Sequence, residues 1–228
     1  MTERPTALVT GASRGIGEAI ARALGPTHHV ILGGRDGGAL AALAAELPDA
    51  RAWPVELTEV TAADVAGVER LDVLVHSAGI GTLGTIAELT ADAWRETMEL
   101  NVIAVAELTR LLLPALRPAG GQVICVNSGS GLRANPGWGA YAASKFALRA
   151  FADALRQEET DLRVTTVYPG RVATDMQRGV RAHEGGEFEP DKYLTPESVA
   201  RAVLAAVNAG PDAHLTELML RPSAGPVN

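Results

Sequence analysis

The sequence predicts an α/β domain, a doubly wound parallel sheet of about seven strands with helices on both faces. Three features carry that expectation. Short runs of valine, isoleucine, leucine and alanine alternate with helical stretches; several runs end in glycine-containing turns; and no linker, repeat or low-complexity stretch divides the 228 residues. Strands separated by helical segments of this length imply right-handed crossovers and a parallel sheet. Residues 1–228 are therefore read as a single domain. An apolar content of 47% is ample for a buried core, and 21% charged residues is too few for a disordered chain.

Charge and cysteine usage narrow the class. A formal net charge of −7, a pI near 5.3 and the lack of a basic stripe predict no nucleic-acid partner, because phosphate binding needs clustered positive charge. The N-terminus runs straight into a strand pattern without an apolar stretch preceded by positive charge, which predicts no signal peptide. No stretch approaches the roughly 18 apolar residues of a membrane span, so no membrane partner is expected. Cys125 is the only cysteine. An intrachain disulfide is thus impossible, and a cytoplasmic location is expected. Cys125 lies in an apolar strand-like run and reads as core. The five histidines form no ligand cluster, and His28 and His29 would point to opposite faces of a strand, so no metal is expected.

Taken in order, residues 6–10 form an apolar strand, followed by the turn Gly11-Ala12-Ser13-Arg14-Gly15-Ile16-Gly17 and a helical run over 18–24. That order puts backbone amides and a helix N-terminus where a pyrophosphate could sit. The spacing is Gly-x-x-x-Gly-x-Gly, and a plain tight turn fits it as well. Residues 29–33 read as the second strand and 38–47 as an alanine- and leucine-rich helix. The end of a second strand is where dinucleotide folds choose between cofactors, an acid taking the ribose 2′-hydroxyl and a cation the 2′-phosphate. Here it reads Gly34-Arg35-Asp36. Gly34 is small, Arg35 can pair with a phosphate, and Arg14 is a second cation within the glycine loop. These favour NADP. Asp36 stands close to the spacing of a ribose-binding acid and keeps NAD as the less favoured alternative. A third strand over 51–55 leads to Glu56-Leu57-Thr58, a short helical piece over 62–68, and a fourth strand over 72–76 that ends in Ser77-Ala78-Gly79-Ile80-Gly81.

Thr90 can cap a long helix over about 91–116. Its later part is apolar on more than one side, which implies a second contact such as another subunit, in a dimer or tetramer. Asn101 is a polar residue in the middle of that helix, facing either solvent or the sheet. The fifth strand, 122–126, ends in Asn127-Ser128, so Ser128 stands at a strand's carboxyl end, where sites occur in open sheets. A loop holding Pro136 and Trp138 leads into a helix over about 141–158. The sixth strand, 162–168, ends in Pro169-Gly170-Arg171-Val172-Ala173-Thr174. Residues 175–195 are too polar and glycine-broken for core and fit a mobile flap over the crevice or an ordinary surface loop. Thr195-Pro196 starts a final helix, and 214–220 is the seventh strand.

The helix from Tyr141 carries the chemistry. Tyr141 and Lys145 lie four residues apart on one face, about 5–6 Å apart at Cβ. An adjacent ammonium favours a phenolate, so a tyrosine of ordinary pKa about 10 is expected to move toward neutrality, where general acids and bases work. Lys145 and Lys192 are the only lysines among 20 basic residues. A lysine in this arginine-rich chain therefore reads as a chosen donor. The same pair also fits a packed tyrosine beside a solvated lysine.

With these residues in place, the chain resembles the short-chain dehydrogenase/reductase family over essentially its whole length. The matching motifs are Thr10-Gly-Ala-Ser-Arg-Gly-Ile-Gly17, Ser77-Ala-Gly79, Asn101, Ser128, Tyr141-Ala-Ala-Ser-Lys145, and Pro169-Gly170 with Thr174. The resemblance implies a Rossmann-like fold, a nicotinamide dinucleotide, and a catalytic tetrad of Asn101, Ser128, Tyr141 and Lys145. Ser128 would hold a substrate carbonyl, Tyr141 would donate its proton, Lys145 would lower the tyrosine's pKa and bind the nicotinamide ribose, and Asn101 would hold a water in a proton relay. Glu56, Leu57, Ser77, Ala78, Gly79, Pro169 and Gly170 would join the glycine loop in holding the cofactor, with Val172 and Thr174 at the carboxamide. Two departures bear on cofactor affinity: His76-Ser77 replaces the usual two asparagines, and Glu56 stands where an aspartate commonly contacts adenine. The expected function is an NADP(H)-dependent reductase of a small carbonyl compound, or the reverse dehydrogenase, with Trp138, Leu132, Met176 and Tyr193 suggesting an apolar substrate. A redox-inactive dinucleotide sensor is the alternative, and extended epimerase-type relatives need a larger domain after the sixth strand.

Overall fold

Residues 4–223 are described by the structure, a computed structural model. The elements run β1 (Thr6–Thr10), α1 (Gly15–Leu24), β2 (His29–Gly34), α2 (Gly37–Glu46), β3 (Ala50–Pro54), α3 (Ala62–Val65), β4 (Val73–His76), α4 (Ala91–Met98), α5 (Ala104–Leu116), β5 (Gln122–Val126), α6 (Gly139–Glu158), β6 (Arg163–Pro169), α7 (Asp175–His183), α8 (Pro196–Val207) and β7 (Glu217–Leu220). All seven strands pair in parallel in the order β3-β2-β1-β4-β5-β6-β7. The order reverses between β1 and β4, and a crevice opens at that switch point on the carboxyl side of the sheet.

The inner strands are buried on both faces, which is why β1, β2, β4 and β5 read as unbroken apolar runs. Alternate side chains feed two cores. Ala7, Val9, Val73 and Val75 meet Ile20, Leu24 and Leu40 from α1 and α2 and Val203 from α8. Leu8, Leu74, Val123 and Cys125 meet Leu108 and Leu112 of α5 and Leu148 and Leu155 of α6. Cys125 is core, as the sequence predicts, and burial pushes its thiol up to about 12.

Two predicted segments differ in detail. The expected helix over 91–116 is interrupted by a π turn at Glu99–Ile103. The cause is tertiary: Asn101, inside the turn, is held by backbone from the β4 loop and by α6, and one extra residue per turn brings it there. The polar stretch expected over 175–195 contains the helix α7. The Thr174 hydroxyl caps it by accepting from Gln177 N at 3.3 Å. Both ends of the stretch are pinned, because Ala173 N donates to Leu194 O at 2.8 Å and Leu194 N to Arg171 O at 2.9 Å.

Candidate active site

A cleft of about 580 Å³ occupies the switch point. Its floor is the turn between β1 and α1. A Cβ on Gly17 would enter the van der Waals shell of the Gly11 carbonyl oxygen, so only glycine lets the turn close this tightly on the helix. Arg14, at the start of α1, makes no side-chain cap. The first-turn amides are therefore left to the cleft, as an anion site needs. The opposite wall is positioned by Thr10, whose hydroxyl accepts from Ser77 N at 3.1 Å and Ala78 N at 3.2 Å and donates to Val75 O. His76 ties the same loop to α5 through Nε2 and the Thr109 hydroxyl at 2.8 Å. That hydroxyl donates to Val105 O, so the histidine carries its proton on Nε2. Burial lowers His76 to about 3 and keeps it neutral.

Of the residues predicted to hold a dinucleotide, all but Tyr141, Lys145, Pro169, Gly170 and Val172 line this cleft. Val172 is buried and bridges to Leu194, Pro169 closes β6, and Gly170 faces Pro222 and Leu220. Thr174 does reach it. A Cβ on Gly15 would lie 3.4 Å from Thr174 Cγ2, so the segment leading into α7 sits directly on the glycine loop. Val55, Ile80, Gly81, Leu100, Asp175 and Met176 also line the cleft and were not among the predicted cofactor contacts. Asp36 lines it too, yet its carboxylate caps α2 by accepting from Ala39 N at 3.0 Å. Arg35 is exposed and stands 3.8 Å from Glu56.

The four predicted catalytic residues come together beside the cleft. A Cβ on Gly79 would lie 3.8 Å from Lys145 Nζ, and one on Gly81 would lie 4.0 Å from Tyr141 Cδ2, so both side chains adjoin its wall. Asn101 is 1% exposed. Its Oδ1 accepts from Ile80 N and its Nδ2 donates to Ile80 O, each at 2.9 Å, and Nδ2 also donates to Ser144 Oγ at 3.0 Å. Of the two directions open in the sequence, Asn101 faces inward, clamping the β4 loop to α6. Lys145 is buried, donates to Val126 O at 3.1 Å, and sits 5.8 Å from the Tyr141 ring centroid. Burial lowers it to about 8. The Tyr141 ring packs 5.7 Å from that of Trp138, which thereby covers the helix start. Tyr193 instead stacks on Phe188.

One expectation reverses. The phenol of Tyr141 lies above its ordinary value, because burial disfavours the phenolate more than the facing Ser128 hydroxyl favours it. At this separation, and itself desolvated, the lysine does not overcome that.

Asn127 is a positioning residue that sequence reasoning passed over. Its Oδ1 accepts from Ser128 N at 2.7 Å and its Nδ2 donates to Lys145 O at 3.0 Å. The end of β5 and the helix bearing Tyr141 are thus locked in register. A Cβ on Gly131 would overlap Asn127 Oδ1 and press on Lys145 O at 2.9 Å, so glycine is needed for this lock. The pairing of asparagine with a glycine four residues later was the available signal.

An architecture of this kind belongs to the dinucleotide-dependent dehydrogenases and reductases. A family model described as short chain dehydrogenase matches residues 5–185. The uncharacterized short-chain type dehydrogenase/reductase y4eK of Sinorhizobium fredii is 33% identical over 235 residues, which is 98% of this chain and 93% of that protein. Glycine betaine reductase ATRR of Emericella nidulans is 33% identical over 240 residues and 97% of this chain, but the chain spans only 19% of that protein's length. The structure of an alcohol dehydrogenase from the archaeon Thermococcus sibiricus, complexed with 5-hydroxy-NADP, is 29% identical with a TM-score of 0.88, covering 99% of this chain and 100% of that one. The chain belongs to the short-chain dehydrogenase/reductase family.

Proposed function

We propose that this protein is an NADP(H)-dependent oxidoreductase acting on a small carbonyl or alcohol substrate, with Tyr141 as the general acid and base. The observation that carries the reading is the placement of a buried phenol, a buried ammonium and the Ser128 hydroxyl against the end of a cleft floored by uncapped helix amides. Bound in that cleft, a nicotinamide dinucleotide supplies or accepts the hydride. Ser128 then holds the carbonyl oxygen, and Tyr141 gives it a proton in reduction or takes one in oxidation. Lys145 stabilises the phenolate left behind. Asn101 keeps Ile80 and α6 fixed so that the cleft wall and Tyr141 stay in register.

NADP is favoured over NAD because Asp36 is committed to capping α2 while Arg14 and Arg35 face the cleft. The Thermococcus sibiricus neighbour, solved with 5-hydroxy-NADP, supports this. Residues 175–195 act as the flap, hinged at the paired Arg171–Ala173 and Leu194 backbone and lying on the glycine loop through Thr174. We place the protein in the cytoplasm, in keeping with its single, buried cysteine; no helix among the described residues is long and apolar enough to cross a membrane. We further propose a homo-oligomer. Ile103 in the π turn and Phe146 on α6 are exposed on elements that pack together, a face suited to a second copy. Sedimentation at micromolar concentration is expected to give a dimer or tetramer, and a monomer would remove this assignment.

The test of the reaction is loss of NADPH or NADH absorbance across ketones, aldehydes, diketones and quinones. Arg35→Ala is expected to raise the KM for NADPH about tenfold and leave that for NADH within about twofold, since it removes a charge-assisted bond to the 2′-phosphate only. Equal effects on both cofactors would take Arg35 out of that role. Tight dinucleotide binding without turnover of any carbonyl would point to a sensor.

A further inference from the structure

We propose that Arg221 is the anion-holding group on the substrate side of the site, so that the carbonyl compound taken here carries a carboxylate. This rests on the reaction proposed above and adds its substrate class. Pro169 of β6 is level with Leu220 of β7, and Val126 of β5 with Val167 of β6. Continuing those registers puts Arg221 beside Gly170, one step beyond the level of Ser128, at the same end of the sheet and two strands away. At a strand spacing of about 4.8 Å the gap is about 10 Å, which an arginine can largely span if its side chain turns inward across β6.

It does turn inward. Arg221 Nη1 donates to the carbonyl oxygens of Tyr168 at 3.0 Å and Leu220 at 2.8 Å. A Cβ built on Gly129, the residue after Ser128, would lie 3.6 Å from Arg221 Nη2. With Nη1 held on backbone, Nε and Nη2 have no partner among the described residues. That edge presents two parallel N–H groups, the geometry that grips a carboxylate through both oxygens. Glu217, the acid on the same strand, is turned elsewhere and accepts from the Tyr168 hydroxyl at 3.1 Å. Arg14 and Arg35 belong to the dinucleotide half of the crevice. Arg221 is therefore a cation open to a second anion, against Gly129, the residue that follows the serine assigned to the carbonyl. A substrate held through its carbonyl by Ser128 would turn a neighbouring carboxylate toward it. This departs from the apolar substrate that Trp138, Leu132, Met176 and Tyr193 suggested.

Calorimetric titration of the protein saturated with NADP⁺ reads the site without turnover, using benzoate as the probe and benzamide as its neutral counterpart. Benzoate is expected to bind at least about tenfold more tightly than benzamide. Arg221→Leu should weaken benzoate by about tenfold or more, and Arg221→Lys should restore part of that, with benzamide and NADP⁺ unchanged in both. Equal binding of acid and amide overturns the proposal, as does benzoate binding that survives in Arg221→Leu. If Arg221→Leu also loses NADP⁺ it is misfolded, and the wild-type ratio together with Arg221→Lys then decides. Rates with NADPH on phenylglyoxylate and its methyl ester separate this proposal from the reaction itself. An ester reduced as well as the acid leaves the reductase standing and removes Arg221. Arg221-dependent benzoate binding with no carbonyl reduced removes the reductase and leaves the anion site.

Discussion

Tyr141→Phe is expected to lower turnover by about 10²–10⁴-fold while leaving NADPH affinity within about twofold. The ring is buried and packs on Trp138, so phenylalanine fits the same space. What disappears is the hydroxyl facing Ser128. The effect is large because the neighbourhood holds no ready substitute. Cys125 is locked in the core with its thiol near 12, and His76 is neutral and turned to Thr109. Lys145 is the rival donor, 5.8 Å from the ring centroid and held on Val126 O. Cofactor affinity survives because the phenol adjoins the cleft without lining it. Turnover is read from NADPH absorbance and affinity from quenching of protein fluorescence. Activity retained above a few per cent would move the proton to Lys145. The raised pKa of Tyr141 keeps the phenol in its protonated form at neutral pH, the form that can donate to a carbonyl oxygen.

The parts of this site that the sequence displays are those in which one local pattern does the chemistry. The glycine turn is legible because the positions that must lack a Cβ are close together in the chain. Tyr141 and Lys145 are legible because helical spacing alone makes them neighbours. The π turn at Asn101 is not, because its cause is Ile80 and Ser144, residues distant in sequence that take up the carboxamide. Asn127 escapes for the same reason: it looks like a strand end until its bonds to Ser128 N and Lys145 O are seen. The helix α7 was hidden by its polarity, although Thr174 followed three residues later by Gln177 is a start signal. The reversed direction for Tyr141 has a different origin. Spacing shows which charges are near but not how much water has been removed from each, and here burial outweighs proximity.

That balance predicts the second large effect, because burial makes Lys145 costly to the fold while the proposed reaction calls for its charge. Its ammonium is lowered from 10.5 to about 8 by desolvation, equivalent to about 3 kcal/mol against the charged form. Lys145→Met, which keeps the stem and removes the charge, is therefore expected to raise unfolding stability at pH 7 by about 1–2 kcal/mol, the lost bond to Val126 O offsetting part of the gain. Turnover should fall by about 10³-fold or more, because only the Ser128 hydroxyl then favours the Tyr141 phenolate. The pH dependence fixes the cause. A lysine with its folded pKa below its unfolded one binds fewer protons when folded, so wild-type stability rises with pH between about 8 and 10.5. The advantage of Lys145→Met should be full below about pH 8 and shrink toward 10.5. The same ionisation should appear in catalysis, with wild-type kcat/KM for carbonyl reduction level up to about pH 8 and declining above it as the ammonium is lost. Denaturant melts of both proteins across pH 6–10 test the linkage. A stability difference that does not change with pH would mean that the ammonium is paired or solvated and that burial does not hold its pKa down.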